Sequence, residues 1–533
     1  MSEHQTTDGT ADLAAPITSP LAERWAISRA GVAVAGSATA ALLFTIACPP
    51  YEHWLLAWMV PGLFLVSARR LAPWRAALCG FAFGTLWGCT MAGWMRQASL
   101  AYFGFNDAGA MGFVVLVAVA YAGIPNTLLA YGYASMAPQV RPWQRGLLGA
   151  WLWAASELFR THVFTGLPWE LLGHTQFQIL PVHQIADLGG VYAVSFVIAL
   201  VSVSLCEQLA DRNARSWSPG TVIGRLAPAA IVLVATLGYG MWCESIHARP
   251  QHGEEKTVAV VQGNVSNTLR WKREYFERNL LTYARLTRQV GAADLIVWPE
   301  NAVNFYIERE PALFPVLNAS AAVASEGLVL GGPRMGDTGR SHNSLYLLGA
   351  DGGVRGTYDK RHLLPFAEYN PLRAVEATPL AGPIEFASGA SEDLPRTPTA
   401  TLGTLICYEM LFPSLVRDVI ARGADLLVNV SNDSWLDDGS GAAPRQHFSM
   451  VVFSAVSARR YLVRASASGV SGLVSPYGVP YATIPRATRG TATGTVRLLS
   501  GQTPYVRWGE SWIVVGGLLC LLLLVCGRRR PLQ

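Results

Sequence analysis

Two parts of the chain are strongly apolar, and the part between them is polar. Charged residues are sparse between long hydrophobic runs in residues 27–243, and a further run covers residues 512–526. A transmembrane helix needs about 20 apolar residues. Several of these runs are shorter than that, but together they predict a multi-pass membrane protein. The predicted spans are 27–47, 53–66, 76–94, 111–136, 147–159, 191–209, 226–242 and 512–526.

Arginines are distributed unequally among the loops that join these spans. If the amino terminus is cytosolic, the cytosolic loops hold most of them, and only Arg96 and Arg160 fall near external ends. This asymmetry follows the positive-inside rule. It predicts that residues 244–507 lie on the side away from the cytosol, which in a bacterial inner membrane is the periplasm. The arginines on the predicted cytosolic side are Arg69, Arg70, Arg75, Arg141, Arg145, Arg212, Arg215, Arg225, Arg528, Arg529 and Arg530.

The chain divides by composition into four segments. Residues 1–26 are small and polar, which predicts a disordered cytosolic tail, and residues 27–243 form a membrane domain of about seven helices. Residues 244–507 form a globular domain, and residues 508–533 form a last transmembrane helix and a cytosolic tail. Short apolar runs in the globular domain alternate with helical patterns, which predicts an α/β sandwich beside the polytopic α-helical membrane domain. The segment 472–478 predicts a hairpin.

Composition excludes several classes of protein. With 51% hydrophobic and 14% charged residues, a single soluble domain is excluded. The net charge of +5 is small, and the basic residues form no dense patch with interleaved aromatics, so nucleic acid is not an expected partner. The sequence has no cluster of His, Cys and carboxylates at metal-ligand spacing, so neither a metal nor a cofactor is expected.

Three predicted strand ends in the globular domain carry chemically useful side chains. The apolar run 400–406 ends at Cys407, the only cysteine of residues 244–507. A second run ends at Trp298-Pro299-Glu300, and Lys360 follows a third strand and its turn. A thiolate is a strong nucleophile once a base and a cation support it. Each residue alone is better explained as structural or solvent-exposed, but the three together predict nucleophilic catalysis.

These motifs resemble a known pattern. Trp-Pro-Glu at 298–300, Asp-Lys-Arg-His-Leu-x-Pro-Phe-x-Glu-Tyr at 359–369 and Ile-Cys-Tyr-Glu at 406–409 are similar to the Glu-Lys-Cys signature of the nitrilase superfamily. Together with the predicted spans, they resemble the apolipoprotein N-acyltransferase family. The resemblance implies a nitrilase-like αββα sandwich. It also implies site residues: Cys407 as nucleophile, Glu300 as base, Lys360 as third member, and Glu368, Tyr408, Glu409 and Trp271 as supporting residues.

The implied reaction moves an acyl chain from a membrane phospholipid to the amine of the diacylglyceryl-cysteine at a lipoprotein amino terminus. A thioester on Cys407 and ping-pong kinetics are expected, with a monomeric enzyme and His362 as a structural residue. Residues 164–170, rich in Gly, Pro and aromatics, are either an aromatic anchor at the membrane interface or a wall of a lipid entry site. Two alternatives remain open: a membrane-tethered amidase, and a lipoprotein-binding protein with a vestigial triad. Residues 458–469 depart from the family pattern, because they lack its Gly, Pro and Asn.

Overall fold

In a computed structural model, the described residues are 20–102, 104–211, 217–247, 252–265, 272–370, 385–390 and 393–527. They form a helical domain followed by a two-sheet α/β sandwich and a terminal helix. The helices of the first domain are α1 (Pro20–Ala47), α2 (Val60–Ala68), α3 (Pro73–Met91), α4 (Trp94–Tyr102), α5 (Asp107–Ala118), α6 (Ile124–Met136), α7 (Gln144–His162), α8 (Leu180–His183), α9 (Ala186–Leu209) and α10 (Pro219–His247).

Only some of these helices meet the length and hydropathy of a membrane span. Among the described residues four segments do, namely 29–47, 107–139, 186–209 and 219–247. A fifth candidate is the pair α3 and α4, which is bent by 58°. The predicted span 53–66 corresponds to a short apolar segment that ends with α2, and 147–159 lies inside α7. The number of spans and the division into four segments therefore stay predictions.

The polar domain contains two sheets within the described residues. The strands of this domain are β1 (Glu255–Gln262), β2 (Ala293–Val297), β3 (Ala324–Met335), β4 (Ser341–Leu348), β5 (Val354–Asp359), β6 (Leu402–Ile406), β7 (Leu426–Ser431), β8 (Leu462–Ser466), β9 (Ser471–Val474), β10 (Pro480–Ile484) and β11 (Gly490–Arg497). The six-stranded sheet has the order β11-β1-β2-β3-β4-β5, and the five-stranded sheet has the order β10-β9-β8-β7-β6. The remaining helices are α11 (Phe276–Thr287), α12 (Phe314–Ala321), α13 (Pro413–Ala421), α14 (Ala442–Ala458), α15 (Pro504–Trp508) and α16 (Ser511–Gly527).

Alternation along the strands decides which side chains lie between the sheets, because successive residues of a strand point to opposite faces. Val258 and Val260 of β1 pack in one core with Leu405 of β6 and Leu427 of β7. The intervening Ala259 joins a second core, on the outer face of the first sheet under α11 and α12. The predicted α/β sandwich is thus confirmed.

The predicted alternation of strands and helices is found in only part of the domain. β1, β2 and β3 are parallel, as are β6, β7 and β8, which accords with helices between them. From β3 to β5 the chain instead forms an antiparallel meander, because glycine-containing turns replace the helices. The hairpin predicted at 472–478 is confirmed by the antiparallel pair β9 and β10.

The sandwich is attached to the helical domain through the segment that follows α7. Gln446 on α14 connects the two: its Nε2 donates to the carbonyl of Pro49 at 2.9 Å, and its Oε1 accepts from Trp169 Nε1 at 2.8 Å. Gly166 in the same segment has φ +75°, and a Cβ there would lie 2.2 Å from the carbonyl oxygen of Thr161. Glycine is therefore required where this segment turns against the sandwich.

Candidate active site

Cys407, Glu300 and Lys360 are brought together by strands of both sheets. Glu300 follows β2, Lys360 follows β5 directly, and Cys407 follows β6. Their exposed fractions are 5% for Glu300, 2% for Lys360 and 3% for Cys407, so all three are removed from bulk water. The site therefore depends on the packing of one sheet against the other.

The backbone of Cys407 is in an unusual conformation. Its φ is +56°, in the left-handed region that non-glycine residues rarely adopt. The residue begins a single 3₁₀ turn, Cys407–Leu411, and its carbonyl accepts a hydrogen bond from Asn429 Nδ2 at 3.2 Å. Strained residues of this kind persist only when surrounding contacts hold them, and they are frequent at functional sites.

Lys360 is held by two carboxylates. Its Nζ lies 2.8 Å from Glu368 Oε2 and 3.0 Å from Oε1, whereas Glu300 Oε1 is 3.9 Å away. Asn343 on β4 joins the two acids, because its Nδ2 donates to both Glu300 Oε1 and Glu368 Oε1 at 2.7 Å. Within the described residues Glu300 Oε2 has no hydrogen-bond partner, so this oxygen is available to accept a proton.

Electrostatics keep the thiol protonated in the resting site. Burial, followed by the charge of Glu300, raises the pKa of the Cys407 thiol to about 12, and Lys360 only partly opposes this. Burial also raises the pKa of Glu300, against the effect of Lys360. Burial opposes the charge of Lys360, but Glu368 and Glu300 outweigh it and raise its pKa above the ordinary value. The lysine is therefore a permanent cation beside a thiol that needs a base.

Glu409 connects two segments of the sandwich through hydrogen bonds. Its Oε1 accepts from the backbone N–H groups of Arg361 at 2.8 Å and His362 at 2.9 Å. Its Oε2 accepts from the N–H of Ile406 at 2.9 Å and from the Tyr358 hydroxyl at 3.0 Å. The carboxylate thus fastens the segment that carries Lys360 to the strand that carries Cys407.

Tyr408 connects the site to the helical domain. Its hydroxyl donates to the carbonyl of Gly166 at 2.6 Å, and its ring packs against Phe412 and His362. Beside Tyr408 lies an apolar cavity of about 590 Å³, including its part open to solvent. Helical-domain and sandwich residues both line it: Trp94, Met95, Ala98, Phe113, Val117, Tyr121, Thr165, Gly166 and Leu167, with Leu364, Pro365, Phe366, Tyr408 and Trp435.

Comparisons with known proteins agree with this architecture. The family models that match are "Carbon-nitrogen hydrolase" at residues 257–504 and "Apolipoprotein N-acyltransferase N-terminal domain" at residues 40–204. The apolipoprotein N-acyltransferase of Geobacter metallireducens is 33% identical over 495 residues, which is 89% of this chain and 91% of that protein. The chain belongs to the apolipoprotein N-acyltransferase family. The corresponding protein of Pseudomonas syringae pv. tomato is 31% identical, over 90% of this chain and 93% of that protein.

The solved structures that match are distant. The amidase of Nesterenkonia AN1, a member of the nitrilase superfamily, is 18% identical and covers 51% of this chain and 99% of its own, with a TM-score of 0.37. As a member of the apolipoprotein N-acyltransferase family, the chain is an enzyme, an acyltransferase, and its sandwich has the nitrilase-like fold. The amidase and binding-protein alternatives are not favoured.

The structure places most of the residues expected at the site of this family member close together. Glu300, Lys360, Glu368 and Cys407 share one buried cluster, and Tyr408 and Glu409 continue from Cys407. Trp271 lies outside the described residues. The ring centroids of His362 and Phe412 are 4.0 Å apart, and the two planes are tilted by 43°. No group of His, Cys, Asp and Glu within the described part of the chain could hold a metal ion.

A second buried cluster behind Cys407 was missed by the sequence analysis. Arg464 on β8 hydrogen bonds to Asn429, the residue that holds the Cys407 carbonyl, and its Nη2 lies 2.8 Å from Asp433 Oδ2. Asp433 Oδ1 in turn lies 3.0 Å from His447 Nδ1. Residues 429–435 and the pair Gln446-His447 carry polar side chains of this cluster, but their partners lie far apart in the sequence. Asn343 was missed because a lone asparagine in a strand gives no sign of its distant partners.

Proposed function

We propose that this protein transfers an acyl chain from a membrane phospholipid to the α-amine of the diacylglyceryl-cysteine of a lipoprotein, through a thioester on Cys407. The observation that carries the proposal is a buried Glu-Lys-Cys cluster beside an apolar cavity that the helical domain helps to line, with Tyr408, the residue after Cys407, in the cavity wall. A soluble substrate has no need of such a wall, whereas an acyl chain does.

In the first half-reaction Glu300 is the base. Its free oxygen accepts the thiol proton as Cys407 sulfur attacks the ester carbonyl of the phospholipid. The ammonium of Lys360 and the backbone N–H of Tyr408 face the oxyanion of the tetrahedral intermediate, and each such donor is worth about 3 kcal/mol. The carbon–oxygen bond then breaks, and the alkoxide of the lysophospholipid takes the proton back from Glu300.

In the second half-reaction the lipoprotein amine attacks the thioester carbonyl. Glu300 accepts a proton from the amine nitrogen, the carbon–sulfur bond breaks, and the proton passes to the departing thiolate of Cys407. Burial raises the pKa of Glu300. A carboxyl group with a raised pKa is suited both to accept a proton from the amine and to give it to the leaving thiolate. Since the lysophospholipid leaves before the amine arrives, the kinetics are ping-pong.

The remaining residues position these three. Glu368 and Asn343 hold Lys360 and Glu300 in position, and Glu409 connects the segment after β5 to the end of β6. On the basis of the arginine asymmetry between loops, we place the sandwich outside the cytosol, in the periplasm of a bacterial inner membrane. We further propose that the enzyme is a monomer. Residues 27–243 and 508–527 then form the membrane part and residues 244–507 the catalytic part.

The test is to incubate the purified full-length protein with phospholipid alone and to examine the tryptic peptide that contains Cys407 by mass spectrometry. A mass increase of one acyl chain, reversible by hydroxylamine and absent from Cys407→Ala, is expected. If Cys407→Ala still transfers the chain to a lipopeptide amine, the covalent route is wrong, and the amine attacks the phospholipid ester directly.

A further inference from the structure

A cavity lined by arginines lies in the helical domain, well away from Cys407. Its volume is about 1050 Å³, including the part open to solvent. Four guanidinium groups converge on it from α1, from the α2–α3 connection and from the start of α7. The lining residues are Arg29, Arg69, Arg70, Leu71, Pro73, Ala134, Ser135, Ala137, Pro138 and Arg145.

This arginine cavity is at the end of the domain that faces away from the sandwich. Pro73, the first residue of α3, lines the cavity, while Met91 at the other end of α3 approaches Gln446 of the sandwich, with 3.8 Å between Sδ and Nε2. A helix rises 1.5 Å per residue, so the two ends are roughly 28 Å apart. That is about the thickness of the hydrocarbon core of a bilayer. With α3 along the membrane normal, the cavity lies at the level of the head groups of the opposite leaflet.

The cavity carries an excess of positive charge. Glu207 is the acidic residue that supports it: its two oxygens pair with Arg69 at 3.0 Å and Arg145 at 3.2 Å, and it also accepts from Tyr133. Arg70 donates to the carbonyl of Ala210, which is neutral. Within the part of the chain that the structure describes, no carboxylate pairs with Arg29 or Arg70. One carboxylate thus faces four guanidinium groups.

The positive-inside rule accounts for arginines on this side of the membrane, but not for their arrangement. Arg75 lies on the same side but does not line the cavity, and its guanidinium lies over the ring of Trp74. In the cavity, the buried carboxylate of Glu207 pairs with two of the lining arginines, and among the described residues the other two have no acidic partner. The amino-terminal end of α3, whose dipole favours anions, opens on the same space.

We propose that this cavity binds the phosphodiester of an anionic phospholipid from the leaflet opposite the sandwich. Guanidinium groups match phosphate oxygens in bidentate geometry, and the apolar wall of Leu71, Pro73 and Ala134 suits the glycerol and first methylene groups. The lipid is neither the acyl donor nor the acceptor of the proposed reaction. It holds α1, the α2–α3 connection and α7 together where their charges otherwise repel.

Native mass spectrometry of the full-length protein in detergent tests this, with phosphatidylglycerol, phosphatidylcholine and inorganic phosphate titrated separately. Phosphatidylglycerol is expected to bind more tightly than the other two. The double variant Arg29→Gln/Arg70→Gln removes the two unpaired charges and leaves Glu207 with both of its partners. It should bind phosphatidylglycerol roughly 30-fold more weakly, which corresponds to about 1 kcal/mol for each arginine. Arg75→Gln, on the same side of the membrane but outside the cavity, is the matched control and should bind normally.

Unchanged binding in the double variant, or an equal loss in Arg75→Gln, overturns the proposal. Inorganic phosphate that binds as tightly as phosphatidylglycerol overturns the assignment to a lipid. If the double variant does not fold, the single variants Arg29→Gln and Arg70→Gln decide the matter, each with an expected loss of about fivefold. Acyl-enzyme formation at Cys407 is measured in parallel, so a failure of the proposed reaction is distinguishable from a failure of this site.

Discussion

Replacement of Glu300 by glutamine is the sharpest test of the roles proposed for the buried cluster. Glutamine has the same shape, and its amide oxygen can keep the hydrogen bond from Asn343 Nδ2, which is 2.7 Å long in the structure. Lys360 keeps its charge, because Glu368 holds it at 2.8 Å while Glu300 Oε1 is 3.9 Å away. The proton-accepting oxygen, Oε2, is replaced by an amide nitrogen. We therefore expect the melting temperature to change little and acyl transfer to fail.

The expected loss follows from the role of a general base, which is worth roughly 10²–10⁴-fold in rate, or about 3–5 kcal/mol in activation free energy. The assay is a single turnover with phospholipid alone, with acylated Cys407 quantified by mass spectrometry. Glu326→Gln provides a matched control. Glu326 lies near the start of β3, in the six-stranded sheet, and it is also ion-paired, with its Oε1 2.6 Å from Lys256 Nζ. If Glu300→Gln forms acyl-enzyme within tenfold of the unsubstituted rate, Glu300 is not the base.

Three further predictions follow from the same geometry. Lys360→Met leaves the buried carboxylates of Glu300 and Glu368 without a cation. We therefore expect it to abolish acyl-enzyme formation and to lower the free energy of unfolding by about 3–5 kcal/mol, measured by thermal unfolding. An unchanged melting temperature would contradict this. Because burial raises the pKa of Cys407 to about 12, its alkylation by iodoacetamide should accelerate roughly tenfold per pH unit from pH 7 to 9, and a plateau below pH 9 would count against it. Ala98→Phe fills part of the apolar cavity, so acylation of Cys407 should slow more with long-chain than with short-chain phospholipids; equal slowing would show that the chain lies elsewhere.

The acid and the thiol could be predicted from the sequence because each lies at the end of an apolar run, and the amine because it follows a strand and a glycine-containing turn. A strand that ends in a polar residue gives a local signal, and the ends of facing strands tend to meet. The supporting carboxylates Glu368 and Glu409 could be predicted only as members of a motif. Their different contacts, one with an ammonium and the other with three backbone N–H groups and a hydroxyl, depend on the tertiary fold.

Other features could not be predicted, because their signals are not local. Arg464 lies in the segment that departs from the family pattern, yet it occupies the buried strand β8 and reaches the residue that holds the Cys407 carbonyl. A buried arginine needs partners far along the chain, and periodicity does not reveal them. The antiparallel meander of β3 to β5 was hidden for a similar reason, since an apolar run does not show the direction of its neighbours.

Both domains line the apolar cavity, and this arrangement affects how long a thioester on Cys407 resists hydrolysis. Trp94 and Phe113 come from the helical domain, and Leu364 and Trp435 come from the sandwich, so neither domain alone encloses the space. A thioester in contact with water is hydrolysed, and closing a site against water prevents this side reaction. If the thioester forms on Cys407 as proposed, the partition between hydrolysis and transfer is therefore set by how tightly the two domains close. A loosened junction is expected to turn a transferase into a slow phospholipase.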